Sequence, residues 1–233
     1  MRFDNIINKH IMYIYLFFGY WRIGCKYKWG GRIGILRIVS GKFGGRLIRA
    51  PEGAPTRPTS QVAREALFSI LAPRVAGAVF IDMYAGSGAV GIEALSRGAG
   101  CVVFADSSRE CVDTIRDNLK LLGIGGRGAL VLEADLARGA PAAAALRGAL
   151  KRLGEVAADI IFADPPYGLE GILDMPRFIS ESYLCAADGT IIIEHSKKTI
   201  MPANSGMYEK ARERQYGDSC LSFYESAPDG SQV

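Results

Sequence analysis

Four consecutive residues, Asp164-Pro165-Pro166-Tyr167, have the types and order to hold a flat ring that carries an amino group. They follow the apolar run Ile160-Ile161-Phe162-Ala163, which reads as a buried parallel strand. An acid at the end of such a strand stands at the carboxyl edge of an open α/β sheet, where these sheets bind ligands. Neither proline has an N–H, and each has φ fixed near about −65°. The Asp164 carboxylate and nearby carbonyls, that of Pro165 among them, are thereby set as rigid acceptors. Tyr167 adds a flat face for stacking. Acceptors beside a stacking ring suit the exocyclic amine of a nucleobase. The plainer alternative is a proline-rich turn in which Asp164 caps the next helix.

A second constellation lies upstream. Val79 to Tyr84 reads as a strand, and Ala85 to Gly91 as a glycine turn that enters a helix from Ile92 to Arg97. Gly86, Gly88 and Gly91 match G-x-G-x-x-G, and Asp106 ends the next strand 20 residues after Gly86. That spacing fits an adenosine-cofactor fingerprint with an acid for the ribose hydroxyls. It does not by itself separate NAD from other adenosine cofactors. Asp82 does, because an acid just before the turn repels a pyrophosphate and attracts a cationic amino-acid end. S-adenosylmethionine has that cationic end and no phosphate. A third strand, Ala129 to Leu132, leads to Asp135, which stands either to accept from the adenine amine or to cap the helix that follows.

The elements that must position these acids alternate strand and helix along the chain, which is the pattern of a doubly wound α/β domain. Helices are expected over 108–122, over 137–152 with a break at Pro141, and near 176–185. A fifth strand is expected over Thr190 to Glu194, and a closing hairpin over 209–215 and 219–225. His195 is read as a strand-end hydrogen-bonding group. Upstream, Arg37 to Ser40 and Arg46 to Ile48 read as a hairpin around a glycine turn. Arg37, Lys42, Arg46 and Arg49 make it basic. After Thr56-Arg57-Pro58-Thr59 comes an amphipathic helix, with Thr59 or Ser60 as its cap and Val62, Ala66, Leu67, Ile70 and Leu71 as its apolar stripe. Arg64 falls on another face.

Charge is unevenly placed. Residues 1–36 carry six Lys/Arg and one Asp, residues 37–64 carry six Lys/Arg and one Glu, and residues 65–233 carry 16 Lys/Arg and 22 Asp/Glu, so the segments hold +5, +5 and −6. A basic arm on an acidic core suits a polyanion such as nucleic acid. Five widely spaced cysteines without a C-x-x-C, and only two histidines, argue against a disulfide framework or a metal site and for the reducing cytoplasm. Ile11 to Trp21 is apolar but far shorter than the roughly 20 residues of a spanning helix, so no membrane association is expected. Three segments follow: an atypical extension over 1–36, which an over-long gene model with a true start near Leu36 would explain; a basic hairpin and helix over 37–72; and a catalytic domain over 73–233.

Taken together, Arg37-Ile38-Val39-Ser40-Gly41, Arg57-Pro58-Thr59 with Arg64-Glu65-Ala66-Leu67-Phe68, Asp82 through Ala99, Asp164 through Tyr167, Glu194-His195-Ser196 and Tyr216-Gly217-Asp218 resemble the RsmD family of bacterial methyltransferases. That family methylates a guanine N2 in 16S ribosomal RNA. The resemblance runs from about Leu36 to Glu225. It implies a class I S-adenosylmethionine-dependent methyltransferase fold, with a seven-stranded, mostly parallel sheet. It implies that Asp82, Ala85, Gly86, Ser87 and Gly88 hold the methionine end, Asp106 the ribose and Asp135 the adenine side. Asp164 and Pro165 hold the target amine and Tyr167 stacks on the base. Arg37, Lys42, Arg46, Arg57, Thr59 and Arg64 are the expected nucleic-acid contacts. The partner it implies is 16S rRNA in a small ribosomal subunit or assembly intermediate, with the enzyme a monomer. The chain departs from the family at Gln61 and Val62, where an acid and a basic residue are usual, and at Asp106, where Glu is common. Three other readings remain. One is a DNA adenine-N6 or cytosine-N4 methyltransferase using the same Asp-Pro-Pro-Tyr chemistry. The second is an NAD-dependent oxidoreductase, which leaves Asp164 to Tyr167 unexplained. The third is an RNA-binding module without catalysis.

Overall fold

The computed structural model describes residues 34–51, 58–166, 169 and 171–226, with 58–60 as backbone only. Strands β1 (Gly34–Arg37) and β2 (Leu47–Ala50) form a two-stranded hairpin. Then come helix α1 (Pro58–Val75), β3 (Val79–Met83), α2 (Ala89–Ser96), β4 (Cys101–Asp106), α3 (Arg109–Leu122) and β5 (Ala129–Glu133). They are followed by α4 (Ala140–Leu153), β6 (Ala158–Ala163), α5 (Met175–Glu181), β7 (Cys185–Ser196), β8 (Asn204–Ser205), β9 (Tyr208–Tyr216) and β10 (Ser219–Ser226).

The main sheet has the order β5-β4-β3-β6-β7-β10-β9-β8. β5, β4, β3, β6 and β7 run parallel, and β10 enters antiparallel between β7 and β9. Seven strands thus form the expected doubly wound sheet. The two-residue β8 is an eighth at the edge. β3 is buried at all five positions because helices cover both faces of the sheet. One core gathers Ile81, Met83, Ile161, Ile191 and Ile193 with α4 and α5. The other gathers Phe80, Phe162 and Ile192 with Leu67, Phe68, Leu71 and Ile92.

Local chemistry explains several boundaries. Ser108 caps α3 by accepting from the Cys111 N–H, and Gly123 closes it in the left-handed region at φ 70°. Pro141 does not break the alanine-rich helix. It occupies the first turn of α4, where a missing N–H costs nothing. α1 starts at Pro58, so Thr59 and Ser60 lie inside its first turn rather than capping it. The stripe that α1 buries is Ala63, Arg64, Leu67, Phe68, Leu71 and Val75, whereas Val62 is 55 % exposed. The helix is therefore rotated by about one position from the expected stripe, and Arg64 faces inward. β1 begins three residues ahead of the expected strand and ends at Arg37. The chain from Ile38 to Arg46 closes the turn with Gly45 N to Ile38 O at 2.8 Å and Ile38 N to Arg46 O at 3.0 Å.

The hairpin is fixed to α2 by buried polar groups. Glu93, fully buried on α2, accepts from Val39 N at 2.7 Å and Ser40 N at 3.0 Å, and pairs with Arg97 Nε at 2.7 Å. Ser96 Oγ accepts from Phe43 N at 2.9 Å. Among the described residues no helix is long and apolar enough to cross a membrane.

Candidate functional site

Three adjacent strands deliver three acids to one face of the sheet. Side chains alternate along a strand, so Asp82, Asp164 and Glu194 share the face of Phe80, Phe162 and Ile192. Asp82 is level with Phe162, which is level with Ile192. Asp164 and Glu194 stand two residues further out, side by side, because Ala163 pairs with Ile193 in parallel register. The row is stepped, with Asp82 deep and the other two at the carboxyl rim.

These acids line a cavity of about 250 Å³ with Tyr84, Ala85, Gly86, Ser87, Arg64 and Phe162 among its other walls. The glycine turn closes one side. Gly86, at φ 54°, turns its N–H to the Asp106 carboxylate at 2.9 Å, and a Cβ on it would meet no protein atom. Gly91 has the opposite need. A Cβ there would lie 2.3 Å from Phe104 Cε1, so only glycine lets α2 start this close to β4. Gly91 N donates to Asp82 Oδ2 at 2.8 Å.

Burial dominates the electrostatics. Asp82 is 1 % exposed, and its pKa is pushed up to about 8 by loss of solvent, against the Gly91 hydrogen bond and with a further push from Asp106. Asp164 is open to water at the cavity mouth. Its carboxyl is nevertheless hemmed in by protein, and this desolvation, then Glu194 and Asp82, hold its pKa well above the usual range. Glu194 is half-buried and also raised by desolvation, partly countered by a hydrogen bond from Ser219. Arg64 is 7 % exposed, and its Nε is buried with no partner. Its Nη2 donates to Arg37 O at 2.9 Å. Tyr84 sits at φ 59°, with its hydroxyl buried and likewise unpartnered. A turn without side-chain bulk and two orphaned donors beside buried acids fit a zwitterionic nucleoside cofactor.

The sequence-predicted residues fall into three groups. Asp82, Ala85, Gly86, Ser87 and Asp164 come together on the cavity. Pro165 is buried directly after Asp164, and Gly88 starts α2 at φ 74°. Asp106 holds the glycine turn and accepts from Ser108 N at 2.8 Å. Asp135 is exposed; it accepts from Ala137 N at 3.2 Å and pairs with Arg138 at 3.3 Å, which is the capping arrangement. Arg37 and Arg49 share the outer face of the hairpin with the exposed Ile35 and Leu47. Lys42 is exposed nearby, and Arg46 donates to Leu121 O at 2.8 Å. Arg64 departs from expectation, being part of the cavity wall and not of the basic surface. Tyr167, Arg57 and the Thr59 side chain lie outside the described residues. Three residues were missed. Glu194 was legible as one more acid ending an apolar strand. Tyr84 and Asn118 carried no sequence signal. Among the described residues, His, Cys, Asp and Glu form no metal-holding cluster, and Cys101, Cys111, Cys185 and Cys220 are free.

This sheet order, with a glycine turn after β3 and a strand-end acid before two prolines, defines a class I S-adenosylmethionine-dependent methyltransferase. The family described as Conserved hypothetical protein 95 matches residues 36–225, and the chain belongs to it. The "Putative rRNA methyltransferase YlbH" of Bacillus subtilis (strain 168) is 34% identical over 190 residues, covering 82% of this chain and 98% of that protein. "Ribosomal RNA small subunit methyltransferase D" of Escherichia coli (strain K12) is 28% identical over 199 residues, covering 84% and 93%. The solved structure "Putative methyltransferase yhhF from Escherichia coli" superimposes with a TM-score of 0.67 at 27% identity, covering 84% of this chain and all of that one. The resemblance drawn from the motifs is borne out at the level of family and fold.

Proposed function

We propose that this methyltransferase transfers a methyl group from S-adenosylmethionine to the exocyclic N2 amine of a guanine in 16S rRNA, within a small ribosomal subunit or an assembly intermediate. The observation that carries the reading is Asp164, set by Pro165 at the rim of the cavity that the glycine turn closes. The names of the relatives above and the basic outer face of the hairpin support the RNA substrate.

When bound, S-adenosylmethionine supplies a sulfonium-activated methyl group. The chain provides the rest. Ionised Asp82 takes the α-ammonium, and Arg64, the cation among these carboxyls, takes the α-carboxylate. Asp106 and Asp135 face the nucleoside. Guanine N2 is a weak nucleophile because its lone pair is delocalised into the ring. Asp164 and the Pro165 carbonyl accept its two N–H groups and draw the nitrogen towards tetrahedral geometry. Asp164 also stabilises the positive charge that develops there and removes the proton afterwards. Positioning and electrostatics therefore supply most of the rate. Tyr167 stacks on a base that has left its helix, a contact worth about 1–3 kcal/mol. Arg37, Lys42, Arg46, Arg57 and Thr59 contact the phosphates.

The test is transfer of labelled methyl from S-adenosylmethionine to small subunits that lack the modification, followed by nucleoside analysis. N2-methylguanosine is expected, and it is expected to vanish with Asp164→Ala. Label in N6-methyladenine, or in DNA alone, refutes the substrate while leaving the fold and chemistry standing.

A further inference from the structure

We propose that Glu194 reads the N1–H of the target guanine beside Asp164 on its N2 amine, so that the carboxylate pair selects guanine. This inference rests on the substrate class proposed above. It starts from register. Ala163 and Ile193 are paired across parallel β6 and β7, so the next residues, Asp164 and Glu194, emerge side by side on one face. Both line the same cavity. Ser219 donates to the Glu194 carboxylate, and among the described residues Glu194 forms no ion pair with a Lys or Arg. Its remaining acceptor capacity is therefore open to a ligand. That the cavity takes a ligand has an independent sign in Arg64, nine-tenths buried in its wall with Nε unpartnered.

Hydrogen-bond inventory then decides between bases. In guanine the ring nitrogen N1, next to the amino-bearing carbon, carries a hydrogen. In adenine and cytosine the ring nitrogen beside the amine, N1 or N3, presents a lone pair. One carboxylate at an amine serves any of the three. A second carboxylate, one strand over, is satisfied only by a second donor. Facing a lone pair, it would be repelled or left desolvated and unpaired, which is the situation that gives strong discrimination. No cofactor contact is required of Glu194, which separates its role from that of Asp82.

The experiment uses the full chain and small subunits reconstituted with 16S rRNA that carries either guanosine or 2,6-diaminopurine riboside at the position the wild-type enzyme modifies. The analogue keeps the N2 amine and loses N1–H. The wild type is expected to methylate guanosine at least 100-fold faster than the analogue. Glu194→Gln, whose amide can donate to N1, is expected to shrink that ratio at least tenfold while S-adenosylmethionine affinity stays within threefold. A purely structural role would slow both substrates alike and leave the ratio unchanged, and that result overturns the inference. Equal wild-type rates on the two substrates overturn it without need of the variant. If the wild type makes no N2-methylguanosine at all, the proposed function fails and this inference with it. If it makes N2-methylguanosine without discriminating, the inference alone fails.

Discussion

The Asn118 side-chain amide donates to the Ser87 carbonyl at 3.0 Å. The same nitrogen donates to Arg49 O at 2.8 Å, while Asn118 Oδ1 accepts from Arg49 N at 2.9 Å. One fully buried side chain on α3 thus ties the glycine turn to the second strand of the basic hairpin. Asn118→Ala strands buried backbone groups on both elements and should cost roughly 2 kcal/mol. S-adenosylmethionine affinity and rRNA affinity should both fall. Asn118→Asp, which keeps the acceptor and loses the donor, should weaken cofactor binding more than hairpin order. Calorimetric titration and amide exchange at Arg49 check the two halves.

In the proposed mechanism Asp164 must be ionised to accept from the amine. Desolvation and the neighbouring Glu194 hold its pKa well above the usual carboxylate range. The acid limb of kcat/KM should therefore lie above that range, with activity falling as pH drops through it, and Glu194→Gln should move it to lower pH. Asp164→Ala should abolish transfer and leave cofactor binding near normal. Asp164→Asn keeps one acceptor oxygen and should lose about 10²–10³-fold. An alanine variant within about tenfold of wild type would falsify the mechanism.

Arg64 and the hairpin cations should separate cleanly. Arg64→Gln removes a buried cavity donor and should weaken S-adenosylmethionine at least tenfold without altering the salt dependence of rRNA binding. Lys42→Ala should do the reverse, leaving the cofactor untouched and lowering the salt slope by roughly one phosphate contact. Filter binding across a salt series distinguishes them.

Gly91→Ala places a methyl 2.3 Å from Phe104 Cε1 and 2.9 Å from Val102 Cγ1. Overpacking of this kind costs about 1–3 kcal/mol, or a melting temperature lower by about 2–12 °C in a domain of this size. Because Gly91 N also holds Asp82, cofactor affinity should drop as well. Adding Phe104→Leu should return most of the stability, which calorimetry would show.

The alternation of apolar strands and helices was legible because burial on both faces leaves continuous hydrophobic runs such as Ile160 to Ala163. The acids that end those runs were legible for the same reason: each interrupts a run where the strand leaves the core. Asp106 and Asp164 were read this way, Asp82 from its place just before the glycine turn, and Glu194 carried the same mark as the strand-end acids. Arg64 was not legible. An arginine on an amphipathic helix ordinarily faces water; here the hairpin carbonyl at Arg37 and the nearby charges of Glu93 and Glu65 make its burial tolerable. Asn118 was beyond sequence reasoning, since its partners lie 31 and 69 residues away.

With Asp82 on the α-ammonium, as proposed, cofactor binding becomes a proton-coupled event. Its folded pKa is pushed up to about 8, first by burial, so near neutral pH it is mostly protonated before the cofactor arrives. Holding an α-ammonium requires the ionised form. Binding must therefore release a proton below about pH 8, and affinity must rise with pH towards that value. The limiting slope is about tenfold per pH unit, the equivalent of 1.4 kcal/mol. Titrations at pH 6.5 in buffers of different ionisation enthalpy should report close to one proton released, fewer as pH approaches 8. Asp82→Asn cannot ionise, so its affinity should be weaker and its proton release smaller by that one proton. Asp164 and Glu194 also titrate in this cavity, and Glu194→Gln serves as the control that leaves the Asp82 proton in place. Equal proton release in wild type and Asp82→Asn would mean that the α-ammonium is held elsewhere.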